Sequence, residues 1–245
     1  DRLNIVQVVS KDKKQALIEA GVDYIELEDN RLLSIFSANQ AFLMIMDFWN
    51  KSLDKNSTYF MVKTTASSRS WDEWAHAHDI KVINTPVGFK EIASAIKKIE
   101  AQYEKHIDDI QITDVFNRNI KLNSNPKMIF GGEESGGMII GALEPIKSHS
   151  GRLALAMREK SATEAIIVAS ALVSSLDCTL CEYLKNIYDE NNIISRFDTR
   201  VDIAYYNESE PDINKLKEQK VLGEAKRTKN DLFYLALAIA KFKGM

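Results

Sequence analysis

Between Tyr59 and Leu176, short β-branched apolar runs alternate with stretches of helical period, and this alternation restricts the chain to a layered α/β architecture. Tyr59 to Thr65 reads as a strand, Ser70 to His78 as a helix, and Ile80 to Asn84 as a second strand. A turn at Thr85-Pro86-Val87-Gly88 opens a helix running to about Lys105. Met128 to Phe130 is a third strand ending in Gly131-Gly132. A loop stretch then carries Pro145, His149 and Gly151, and a long helix follows from Ser161 to Leu176. Strands separated by helices are expected to lie parallel in one sheet, and ligands of such sheets bind at the loops leaving the strands' carboxyl ends. Two loops of this kind follow Asn84 and Phe130.

On either side the pattern differs. Asn4 to Val9 reads as a strand, Lys11 to Ala20 has helical spacing and stops at Gly21, and Tyr24 to Leu27 fits a short edge strand. From Ala38 to Leu53, Phe42, Ile45, Met46 and Trp49 recur at three- and four-residue steps, as on an amphipathic helix. The polar run Asp54-Lys55-Asn56-Ser57 marks a domain boundary, giving units over 1–54, 55–190 and 191–245. Past Ile193 an α+β segment is expected: Arg196 to Tyr206 alternates like an antiparallel strand, and Asp212 to Gln219 and Asp231 to Phe242 read as helices.

A formal charge of -3 provides no global attraction to nucleic acid or anionic lipid, so an anionic ligand needs a local cluster of cations and backbone donors. The longest apolar runs, such as Phe233 to Ala240, fall short of the ~20 residues of a bilayer span. Asp1 and Arg2 lead into a strand-like run without a secretory pattern, so the expected location is cytoplasmic, with neither nucleic acid nor membrane as partner. Cys178 and Cys181 form a lone C-x-x-C without the further ligands a structural zinc needs, and read as two helix cysteines. His76 and His78 sit two apart on a helix, point to different faces, and are expected at the surface. Neither G-x-G-x-x-G nor G-x-x-x-x-G-K-[ST] occurs, which argues against a nucleotide-dependent enzyme.

The stretch Gly131-Gly132-Glu133-Glu134-Ser135-Gly136-Gly137 carries the strongest chemical signal. Glycines permit positive φ and let a ligand approach the backbone, while carboxylates accept strong hydrogen bonds from paired hydroxyls such as a sugar presents. Taken alone, the same residues also fit an ordinary glycine-rich turn with exposed acids. In context, the chain resembles the α-D-phosphohexomutase family (phosphoglucomutase and phosphomannomutase). Gly132-Glu133-Glu134-Ser135-Gly136 is similar to the family's G-E-x-S-G sugar-binding loop, and Thr85-Pro86-Val87-Gly88-Phe89-Lys90 to its T-P-x-G-[FW]-K loop. Arg158-Glu159-Lys160 resembles its R-[ED]-K-D, with Ser161 where many relatives have Asp. Asp1-Arg2 followed by an apolar strand resembles the end of its D-x-D-x-D-R magnesium loop, and Asn39-Gln40 its G-N-[EQ], with Ala38 in place of the glycine. All five occur in family order.

The resemblance implies layered α/β/α domains. It implies substrate contacts by Gly132, Glu133, Ser135, Gly88, Lys90 and Arg158, catalytic roles for Lys160 and Arg2, and magnesium ligation by Asp1. The partner would be a hexose phosphate, interconverted between its 1- and 6-phosphates through an enzyme phosphoserine and a hexose 1,6-bisphosphate intermediate. No Ser-His-Asn-Pro-type loop occurs in the sequence, so the chain is expected to be a piece of such an enzyme: part of a second domain, all of a third and the start of a fourth. It is expected to be inactive alone, the alternative being a non-catalytic sugar-phosphate-binding module of the same fold.

Overall fold

The computed structural model describes residues 2–54, 57–197 and 204–242. The chain begins with β1 (Ile5–Ser10), a 3-10 turn at Lys11–Lys13, α1 (Lys14–Glu19), β2 (Asp23–Glu26), β3 (Arg31–Phe36) and α2 (Ala38–Asn50). There follow β4 (Tyr59–Thr64), α3 (Arg69–Ala77), β5 (Lys81–Thr85), α4 (Phe89–Glu104), β6 (Gln111–Thr113) and β7 (Asn119–Lys121). Then come β8 (Lys127–Gly132), β9 (Met138–Lys147), β10 (Leu153–Ala156), α5 (Ala162–Ser175), α6 (Leu180–Glu190) and α7 (Ile213–Phe242). Contacts divide the chain into two units, Asp1–Asp198 and Thr199–Met245.

In the first unit the main sheet has the order β10-β9-β8-β4-β5, and a smaller antiparallel sheet has the order β1-β3-β2. Strand β4 is parallel to both its neighbours, with Thr64 beside Thr85 and Lys63 beside Gly132, so three carboxyl ends meet at one edge of the sheet. Every residue of β4 is buried, as a strand covered on both faces requires. Its Phe60 and Val62 join a core with Ile92, Ile96 and Ile99 of α4, while Met61 joins one with Phe42 of α2 and Trp71 of α3. This is an α/β/α arrangement. The sheet is mixed rather than all parallel, because β8 and β9 are joined by the short hairpin loop at 133–137, which can only connect antiparallel neighbours.

Other expectations are corrected in detail. Pro145 lies within β9, where a loop was expected. The pairing of β8 with β9 ends at Phe130 and Ile140, and the β9–β10 register shifts nearby, so no ladder bond needs a proline amide there. Cys178 precedes α6 and only Cys181 lies in the helix, which Thr179 caps. The polar break at Asp54 falls inside the first unit, because Phe42 of α2 packs against Trp71 and Phe130 beyond it. The strand expected over Arg196 to Tyr206 falls mostly outside the described residues.

In the second unit, the two helices expected at 212–219 and 231–242 form one continuous α7. No proline separates them, and Gly223 costs a helix only ~1 kcal/mol. Among the described residues, no single helix is long and apolar enough to cross a membrane.

Helix α6 is tied to the start of the chain by Glu182, whose carboxylate accepts from Lys13 Nζ at 2.8 Å and closes a capping box with Thr179. The Lys13 hydrogen bond, then those of Thr179, lower the Glu182 pKa from 4.5 to about 2. A depressed carboxyl contributes stability that is fully present above pH 4.5 and is lost as the pH falls through about 2. Glu182→Gln should therefore flatten the acid limb of the melting-temperature profile below pH 4.5. An unchanged limb would show that this contact does not contribute to acid sensitivity.

Candidate functional site

The glycine-rich loop is the β8–β9 hairpin. Glu133 N donates to Gly137 O at 3.0 Å, and Gly136 N donates back to Glu133 O at 3.1 Å, closing a turn over Glu134 and Ser135. Gly136 has φ +98, which a side-chain-bearing residue adopts only with strain. A Cβ on Gly137 would meet Lys160 Cδ at 2.8 Å and Glu133 Oε1 at 3.0 Å, so the loop's last glycine makes room for these two side chains.

Those side chains form the centre of the site. Glu133 is buried, and its Oε1 lies 3.4 Å from Lys160 Nζ. The Lys160 ammonium also stands 5.9 Å from the centroid of Phe89, the first residue of α4. Lys160 is held by its neighbour: Ser161 N donates to Met138 O at 3.0 Å, and Ser161 Oγ caps α5 by accepting from Glu164 N. Ser161, where many relatives have Asp, therefore serves as a helix cap.

Gly88 is the cap residue of α4, with φ +121; a Cβ there would meet nothing within 4 Å, so backbone conformation rather than space calls for glycine. Lys90 follows in the first helical turn with an 86% exposed side chain, free to reach an anion at the helix N-terminus. Ser135 sits half-buried at the hairpin turn. From the chain start, Leu3 N donates to Gly136 O at 3.1 Å, which sets Arg2 against the hairpin. Asp1, the expected metal ligand, lies outside the described residues. Among the described residues no three His, Cys, Asp or Glu side chains cluster so as to hold a metal ion, so a magnesium site does not fit them.

Arg158 is not brought to this group. Its guanidinium is ion-paired with the buried Glu100, more than two turns along α4 from Phe89.

Several residues at the site carry no motif. Thr64 Oγ1, at the carboxyl end of β4, donates to Glu134 Oε2 at 2.8 Å, so the loop's second carboxylate is turned to the neighbouring strand. Lys63 is almost fully buried; its ammonium donates to the carbonyls of Ser67 and Ser68 and pairs with Asp72 at 2.6 Å, pinning the turn into α3. Asn39 Oδ1 accepts from Ser68 N at 3.1 Å, and Gln40 Nε2 donates to Gly21 O at 2.8 Å, so the Asn-Gln pair fastens two turns. Two signals could have found them: a lysine inside the otherwise apolar run of β4, and the hydroxyl-rich stretch Thr64-Thr65-Ala66-Ser67-Ser68 leaving it.

Among solved structures, the chain is similar to a phosphomannomutase from Thermus thermophilus, at 18% identity and a TM-score of 0.36, over 74% of this chain and 35% of that one. It thus spans little more than a third of that protein's length. No curated protein matches it. The family model described as phosphoglucomutase/phosphomannomutase, alpha/beta/alpha domain III, matches residues 37–190. Because that match takes in more than half of the chain, the chain belongs to the phosphoglucomutase/phosphomannomutase family.

Proposed function

We propose that the chain supplies the sugar-reading part of a phosphohexose mutase, an isomerase that interconverts hexose 1-phosphates and 6-phosphates. One observation carries this reading: a buried carboxylate, Glu133, meets an ammonium, Lys160, in a glycine hairpin at the edge where three parallel strands end. Glu133 accepts hydrogen bonds from ring hydroxyls, with Ser135 beside it, and the backbone of Gly132 lets the sugar approach closely. Lys160 faces the substrate as a charge partner or as the group that carries a proton to a sugar oxygen. Lys90 and the free amides at the start of α4 attract the phosphate. Arg2 adds a second cation beside the hairpin. The phosphoserine and bisphosphate steps belong to the family's cycle, and no residue of this chain is assigned to them.

Binding of glucose 1-phosphate and mannose 1-phosphate to the isotopically labelled chain tests the reading. Amide resonances of Gly132 to Gly137, Gly88 to Lys90 and Lys160 should shift together on titration. An absence of shifts at millimolar ligand, or shifts confined to another surface, would refute it.

A further inference from the structure

We propose that Arg158 is a positioning residue, which holds Lys160 beside Glu133 by clamping the preceding segment to the buried carboxylate of Glu100. The inference rests on the sugar-phosphate reading of the site. Strand β10 is an edge strand, whose outward amides have no strand to pair with. Two carboxylates one turn apart on α4 take their place: Glu104 Oε1 accepts from Leu153 N, and Glu100 Oε1 from Leu155 N, each at 2.9 Å. The second oxygen of Glu100 takes the Arg158 guanidinium, so one buried carboxylate fastens both β10 and the bend that follows it. Two residues later, Lys160 reaches Glu133 and the Phe89 ring.

Along α4, Phe89 and Glu100 are separated by roughly 16 Å at the helical rise. Arg158 and Lys160 therefore extend in opposite directions along the helix, one to anchor and one to act. The buried Arg158 Nε has no hydrogen-bond partner among the described residues, as expected of a group committed to Glu100 by its other nitrogens and shut away from solvent.

The test compares Arg158→Gln, Glu100→Gln, the neutral pair Glu100→Gln with Arg158→Gln, Lys160→Ala, and Arg158→Gln with Lys160→Ala. Each is assayed for glucose 1-phosphate affinity by calorimetry and for amide hydrogen exchange. Melting curves identify any variant that fails to fold, and the neutral pair avoids leaving a buried charge alone. Arg158→Gln and Glu100→Gln should each weaken binding about tenfold, and Arg158→Gln should add nothing once Lys160 is alanine. Exchange should accelerate at Ser161 and Glu133 but not in β4 or β5.

Losses for Arg158 and Lys160 that multiply, or full affinity in Glu100→Gln, would show that Arg158 touches the ligand itself and overturn the proposal. Unchanged exchange at Ser161 and Glu133 would overturn it too. If the wild-type chain binds no glucose 1-phosphate, the functional reading fails. The exchange rates then decide the clamp by themselves, acceleration upholding it and unchanged rates refuting it.

Discussion

Replacing Glu133 by alanine should weaken hexose-phosphate binding by about one to two decades and leave the chain folded, because a hydrogen bond to a charged group contributes ~1.5–3 kcal/mol. The hairpin is closed by backbone atoms of Glu133, its N–H to Gly137 and its carbonyl from Gly136, and alanine retains both. What is lost is the carboxylate that faces Lys160 and, in the proposed complex, the ring hydroxyls. Ser135→Ala removes a neutral hydroxyl at the turn and should cost less, near the ~1 kcal/mol of an ordinary hydrogen bond. Calorimetry with glucose 1-phosphate beside thermal melts checks this. Full affinity in Glu133→Ala, or a collapsed melting temperature, would mean that the hairpin is a structural turn and does not read a ligand.

The largest stability effect is expected at Trp71. Its side chain is fully buried on α3, with ring contacts to Phe42 of α2 at 6.1 Å and Phe130 of β8 at 5.5 Å. Its indole N–H also donates to Asn39 O at 2.9 Å. Truncation to alanine leaves a cavity between three elements and removes the donor from that carbonyl, and large-to-small changes of this kind cost about 3–5 kcal/mol. Against a typical domain stability of ~5–15 kcal/mol, that is a large share. A urea titration of Trp71→Ala should show the midpoint falling with little change in slope. A loss below ~1 kcal/mol would mean that the core refills the space. Because Phe130 is two residues from Gly132, the same variant should also loosen the hairpin.

Local patterning was a good guide wherever one segment determines its own state. Helix α2 was legible from Phe42, Ile45, Met46 and Trp49, and its start from Ser37 and Gln40, which form a capping box in the structure. Strand β8 was legible as an apolar run ended by two glycines, and the hairpin that follows it contains the glycine with positive φ that its composition allowed. Pro145 misled because proline reads as a loop signal in isolation, whereas a strand tolerates it where the ladder makes no demand on its amide.

By itself, then, the sequence determined the alternation of elements, the layered α/β class and the placing of the glycine-rich loop at a strand's carboxyl end. These follow from side-chain periodicity and backbone preference, which act within a few residues. Only the tertiary structure decided that β9 runs antiparallel to β8, that Glu134 turns to Thr64, that Lys63 is buried on Asp72, and that Arg158 pairs with Glu100 rather than joining Lys160 at the hairpin. Thr64 and Glu134 are 70 residues apart, and Arg158 and Glu100 are 58 apart. Pairings at such separations are set by which strand ends and helix faces the packed sheet brings together, and no local period encodes that choice.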